Sequence, residues 1–128
     1  ALRFEGLRFM RDPTRGGLVT VLHDLAKQTE LSPRIYEAHL PLQPAVKSVC
    51  GMLGYDPLVL ASEGRIIAIV DKSKADDLVQ TWRSVKGGEQ TQIIGDIGQT
   101  FDDPILITEL GGEKYIAPLQ DDPLPRIC

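Results

Sequence analysis

The sequence closes on a thiol, in Pro125-Arg126-Ile127-Cys128. A cysteine at a chain end has little to pack against, so its reactivity matters more than its volume. It is not a prenylation signal, which needs three residues after the cysteine, and no partner at ligand spacing suggests a metal site. Two readings stay open: a swinging arm that carries a covalent acyl group between sites, or a terminal residue with no role. A second chemical feature is Asp12-Pro13-Thr14-Arg15-Gly16-Gly17 at a strand-to-helix junction. Paired glycines there let backbone N–H groups approach a ligand, and a helix N-terminus carries partial positive charge. Arg15 adds a charge-assisted donor. The motif therefore suits a polyphosphate or carbamoyl oxygen, and it equally suits a tight turn with a helix cap. The third feature is Ala61-Ser62-Glu63-Gly64 before a strand. A carboxylate at the mouth of a strand is a general-base position, although most such glutamates are solvated surface residues.

The elements that must position these groups follow from hydrophobic period. Leu7 to Met10 reads as a strand, and Leu18, Val21, Leu22, Leu25 and Ala26 form one helical stripe after it. Asp12 or Thr14 is expected to cap that helix, with Pro13 in its first turn. Ser32 to Leu40 reads as a strand ended by Pro41. A helix starts near Pro44, carries Val46, Val49, Cys50 and Leu53 on one face, and stops at Gly54. Asp56-Pro57 fits a turn, and Leu58-Val59-Leu60 an apolar plug. Arg65 to Val70, rich in β-branched residues, is expected to be a buried strand. Ser73 to Val85 reads as a helix with Ser73 and Asp76 as a capping-box variant and Ala75, Leu78, Val79 and Trp82 as its stripe. Strands are expected at Gln92 to Ile97, Ile105 to Leu110 and Glu113 to Ala117, the last two joined at Gly111-Gly112. The mixture, without strict alternation, predicts an α+β fold: a mixed β-sheet with helices packed on it.

From Pro118 the pattern changes to prolines and Asp121-Asp122 with no apolar period. The expected organisation is one domain over residues 1–117 and a flexible tail over 118–128 ending in the functional cysteine. Ten extended residues reach about 30 Å, enough to cross a domain. Cys50, on an apolar helical face, reads as inert core. His23 is placed on the polar side of the first helix and His39 at a strand end, neither with a metal partner.

With 128 residues, 42% hydrophobic and 25% charged, the chain is long enough for one core and too short for two. A net charge of −4 gives no support for binding nucleic acid or an anionic membrane. No apolar run approaches the roughly 18 residues that span a bilayer, and no signal-peptide pattern opens the chain. Two cysteines suit a reducing compartment, so a cytoplasmic location is expected. The start at Ala1, close to a strand, leads to the expectation that the chain is a piece of a longer protein.

Taken in order, Arg11-Asp12-Pro13-Thr14-Arg15-Gly16-Gly17-Leu18, Asp56-Pro57-Leu58 with Ala61-Ser62-Glu63-Gly64-Arg65, Ile93-Ile94-Gly95 and the Pro125-Arg126-Ile127-Cys128 ending resemble the C-terminal domain of the HypE family. These are hydrogenase-maturation carbamoyl dehydratases within the aminoimidazole-ribotide-synthetase-like superfamily of ATP-using proteins. The first motif points only to the superfamily; the terminal tetrapeptide selects the HypE family. Ser62 departs from the Asn found in many relatives, with no chemistry endangered.

The resemblance implies a mechanism. A carbamoyltransferase, HypF, loads Cys128, and ATP drives dehydration of the thiocarbamate to a thiocyanate with Glu63 as base. The cyano group then passes to iron held by the HypC–HypD complex. Asp12, Thr14, Arg15, Gly16 and Gly17 would face the phosphates or the carbamoyl group. The resemblance further implies a homodimer, with most of the ATP pocket and the Mg²⁺ carboxylates in an N-terminal domain, so that this chain alone is inactive. Two other readings stay open: a different ATP-dependent synthetase of the superfamily, such as a selenophosphate or aminoimidazole-ribotide synthetase, and a non-catalytic module that docks through its tail.

Overall fold

The computed structural model describes residues 4–98 and 103–120. The elements run β1 (Leu7–Arg11), α1 (Gly17–Thr29), β2 (Ser32–Tyr36), α2 (Pro44–Leu53), β3 (Ile67–Val70), α3 (Ala75–Arg83), β4 (Gly95–Gly98), β5 (Ile105–Ile107) and β6 (Glu113–Tyr115). Three 3₁₀ turns, at Glu37–His39, Pro57–Val59 and Lys72–Lys74, link them. Strands β1 and β3 form an antiparallel pair, and the second sheet has the order β4-β2-β5-β6. In that sheet β2 lies antiparallel to β4 and parallel to β5, while β5 and β6 are antiparallel. The expected mixed α+β architecture is the one observed.

The core forms where α1 crosses the four-stranded sheet. Leu18, Val19 and Leu22 from α1 meet Ile35 of β2, Leu106 of β5, Ile116 after β6 and Leu58 from the Pro57–Val59 turn. Burying each such side chain contributes roughly 1.5–3 kcal/mol. The stripe predicted for α1 is buried, but the buried surface is wider than one stripe, because Val19 and His23 are enclosed as well. The helix packs against both β2 and the Pro57–Val59 turn. His23 is therefore not on a polar face: it is 8% exposed, and its Nε2 lies 2.8 Å from the Ile116 carbonyl.

Several boundaries differ from the sequence reading. Neither Asp12 nor Thr14 caps α1, and Pro13 lies outside it; the cap position is Gly16, in the left-handed region with φ 70°, without a side-chain bond. Strand β2 ends at Tyr36, where the chain turns and Leu40 N–H donates to the Glu37 carbonyl. The capping box at Ser73 and Asp76 is absent, since Lys74 holds the cap position of α3. The helix also stops at Arg83, with Ser84 Oγ donating to the Thr81 carbonyl. Strand β3 begins at Ile67 rather than Arg65 and is only half-buried, because a two-stranded sheet offers one partner and little cover; Ile66, just before it, is 54% exposed. On α2 only Cys50 is buried; Val49 and Leu53, on the expected inner face, are exposed. Strand β4 begins at Gly95 rather than Gln92, whose side-chain amide donates to the His39 carbonyl instead. The β5–β6 connection runs from Thr108 to Gly112, closed by two backbone bonds of 2.8 Å between those positions and Gly111.

Candidate functional site

The Asp12–Gly16 loop leaves β1 and enters α1. Its base is fixed by an ion pair of 2.6 Å between Arg11 Nη1 and Asp24 Oδ2, which ties the end of the strand to the helix. Pro13 is buried, and its carbonyl accepts a hydrogen bond of 2.9 Å from the Ser62 N–H. That one bond joins two motifs far apart in sequence and places Glu63 one residue from the contact.

Gly17 makes the second junction. Its φ is 59°, a region that costs an L-residue roughly 1–2 kcal/mol. Space is tighter still: a methyl group on its α-carbon would lie 2.5 Å from the Leu58 carbonyl oxygen, 2.6 Å from that of Leu60 and 2.8 Å from the Val59 carbonyl carbon. The start of α1 thus lies directly on the 58–60 backbone, and only glycine permits it. The opposing segment is itself fixed, since Leu58 N–H donates to Asp56 Oδ1 at 2.9 Å and the Leu58 side chain enters the core. The Asp56-Pro57-Leu58 and Gly16-Gly17 motifs are therefore two halves of one contact. Gly16 is buried too, and a side chain there would meet Thr20 and Leu119.

The sequence-predicted residues divide accordingly. Gly16 and Gly17 serve close packing of the two loops. Asp12 and Arg15 are exposed and Thr14 is half-buried, so these three are the ones free to face a ligand. Glu63 is exposed, and among the described residues it makes no ion pair. Arg65, two residues on, donates from Nη1 to the Pro41 carbonyl at 3.0 Å. The first turn of α1 contains no acidic residue, which leaves its N-terminal partial positive charge uncompensated. Cys128 and its neighbours Arg126 and Ile127 lie outside the described residues. Sequence reasoning missed the backbone N–H of Ser62, the buried His23 and the inward-packed Leu119, which contacts the core. For His23 a signal existed, because it lies four residues beyond the buried Val19 on the same helical face.

The profile of the family described as AIR synthase related protein, C-terminal domain, matches residues 1–104. The chain belongs to that family. Within it, the chain is similar to the carbamoyl dehydratase HypE of Cupriavidus necator, with 37% identity over 126 residues that cover 96% of this chain and 35% of that protein. A solved structure of the hydrogenase maturation protein HypE in complex with ATP superposes with a TM-score of 0.87 at 31% identity, covering 96% of this chain and 39% of that one. A HypE–HypF complex gives 0.86 at 31% identity, covering 90% of this chain and 37% of that one. The chain thus spans about a third of the length of the curated relatives it matches, 35% in the case of the C. necator protein.

Proposed function

We propose that this chain is the C-terminal part of an ATP-dependent carbamoyl dehydratase of the HypE kind, in which Cys128 carries the carbamoyl group that becomes a thiocyanate. The observation that carries the reading is the Ser62 N–H to Pro13 carbonyl bond of 2.9 Å, which draws the Glu63 loop onto the Asp12–Gly17 loop. It is supported by 37% identity to a carbamoyl dehydratase over 96% of the chain.

The loop fits an anionic or carbonyl ligand. The first N–H groups of α1 have no helical acceptor, no acidic residue lies in its first turn, and exposed Arg15 can donate two parallel bonds to a phosphate. Thr14 offers a hydroxyl and Asp12 an acceptor beside it. When bound, ATP supplies the phosphoryl group that makes the carbamoyl oxygen a leaving group. Glu63 takes protons from the carboxamide nitrogen; the nitrogen loses both protons, the carbon–oxygen bond breaks, and the carbon–nitrogen bond becomes triple. The balance is thiocarbamate plus ATP to thiocyanate, ADP and phosphate. Mg²⁺ would be held mainly by the rest of the longer protein, of which this chain matches about a third.

In this reading HypF loads Cys128, the HypC–HypD complex takes the cyano group for the iron of a nickel–iron hydrogenase, and the full-length protein is a homodimer in the reducing cytoplasm. The test is Glu63→Gln in the full-length protein, which should keep carbamoylation of Cys128 and slow dehydration about 10²- to 10⁴-fold, the usual cost of a lost general base. A wild-type rate of thiocyanate formation in that variant would remove Glu63 from the chemistry.

A further inference from the structure

The loop that carries Glu63 is fastened on both sides of that residue. On one side the Ser62 N–H donates to the Pro13 carbonyl at 2.9 Å, which holds the loop to the Asp12–Gly17 segment. On the other, Arg65 Nη1 donates to the Pro41 carbonyl at 3.0 Å. That acceptor stands on a fixed support. Leu40 N–H donates to the Glu37 carbonyl at 3.2 Å, Leu42 N–H donates to the Leu40 carbonyl at 2.8 Å, and Leu40 packs against the core. Between the two anchors lie only Glu63 and Gly64, the corner residues of a tight turn. Gly64 takes a φ of 77°, the left-handed value that the third position of a type II turn needs. Among the described residues neither Glu63 nor Arg65 makes an ion pair. The guanidinium is thus committed to a neutral carbonyl, and the Glu63 carboxylate is left free for a substrate.

We propose that Arg65 is a positioning residue for Glu63: its bond to the Pro41 carbonyl fixes the far end of the turn and so sets where the carboxylate stands against the Asp12–Gly17 loop. This rests on the reading of Glu63 as the base. With Ser62 bonded to Pro13 alone, the turn could pivot about one point. With Arg65 bonded to Pro41 as well it has two, and the corner between them is held. A charged donor makes the stronger hydrogen bond, and the planar guanidinium loses less freedom per bond than a more flexible donor. A general base must stand within about 2.6–3.2 Å of the atom whose proton it takes, and a misplacement of about 1 Å can cost about 10²-fold. Loss of the Arg65 anchor, with the Ser62 anchor kept, should therefore slow proton abstraction about 10- to 100-fold.

The measurement is a double-mutant cycle in the full-length protein, read as the single-turnover rate of thiocyanate formation against ATP concentration. Arg65→Met keeps the length of the side chain and removes its donors. It should lower the rate at saturating ATP about 10- to 100-fold and leave the half-saturating ATP concentration unchanged. Arg65→Lys, which keeps a cationic donor, should restore most of the rate. Glu63→Gln should lose about 10²- to 10⁴-fold. The double variant should be no slower than Glu63→Gln alone, because Arg65 then has no base left to position. Urea unfolding should give every variant the wild-type midpoint; if Arg65→Met shifts it, Arg65→Gln takes its place in the cycle. A wild-type rate in the Arg65 variant beside a slow Glu63→Gln would overturn the proposal, as would losses that multiply in the double variant. A wild-type rate in Glu63→Gln is the separate result that removes the base itself, and with it this role for Arg65.

Discussion

Gly17→Ala tests the junction between the two motif loops. Two costs apply. The φ of 59° is one that alanine adopts at about 1–2 kcal/mol. The new methyl would also meet the carbonyl oxygens of Leu58 and Leu60 at 2.5 and 2.6 Å, and relieving such an overlap by backbone shifts typically costs about 1–3 kcal/mol. The total is about 2–5 kcal/mol, a large share of the roughly 5–15 kcal/mol that stabilises a domain. Gly54→Ala is the internal control, because Gly54 has a φ of 71° with nothing within 4 Å of the added methyl. It should lose only the conformational part, about 1–2 kcal/mol. Urea unfolding of the chain, followed by the fluorescence of its one tryptophan, Trp82, measures both variants. If Gly17→Ala costs no more than Gly54→Ala, the loop contact is absent and the packing role assigned to Gly17 fails.

Other outcomes follow from the same geometry. Arg15→Gln in the full-length protein should weaken ATP-dependent turnover about 10- to 100-fold, the scale of a lost charge-assisted hydrogen bond; kinetics at saturating and limiting ATP would check this, and unchanged turnover would return Arg15 to a solvated surface role. Cys50→Ala removes a small buried group and should cost about 1–2 kcal/mol by denaturation while leaving the Cys128 adduct intact. The isolated chain should show no micromolar ATP binding by calorimetry, since it spans only about a third of the relatives it matches. The Arg8 guanidinium, bonded to both Asp71 carboxylate oxygens at 2.8 Å, holds that carboxyl below its ordinary range. A lowered folded pKa stabilises above the unfolded value of about 3.9 and is lost as pH falls below it. The melting-temperature difference between wild type and Arg8→Gln should therefore shrink below about pH 4, and a constant difference would refute the pairing.

What the sequence disclosed, and what it withheld, has a physical pattern. The α1 stripe, the Leu58 plug and the β5–β6 hairpin are local signals of period and turn chemistry, and all three are present. Burial was harder to read. Ile67 and Ile69 have β-branched shapes that specify a strand, but shape does not say what covers it, and the two-stranded sheet leaves the strand only half-buried. The apolar period of α2 likewise fixed its face without supplying a neighbour beyond Cys50. The cap expected at Asp12 or Thr14 failed because left-handed Gly16, at the cap position, and Gly17, the first residue of the helix, turn the chain there. The pairing of the Pro13 and Ser62 loops could not be read from spacing, since it depends on a backbone bond and on the absence of a side chain at Gly17.

The most direct test of the account is the mass of the Cys128 peptide in the full-length protein, taken after incubation with HypF and carbamoyl phosphate and again after addition of ATP. The expected result is a carbamoyl adduct on Cys128 that loses the mass of one water when ATP is supplied, and no adduct in Cys128→Ala. An adduct that survives Cys128→Ala, or a Cys128 adduct whose mass ATP leaves unchanged, would contradict it.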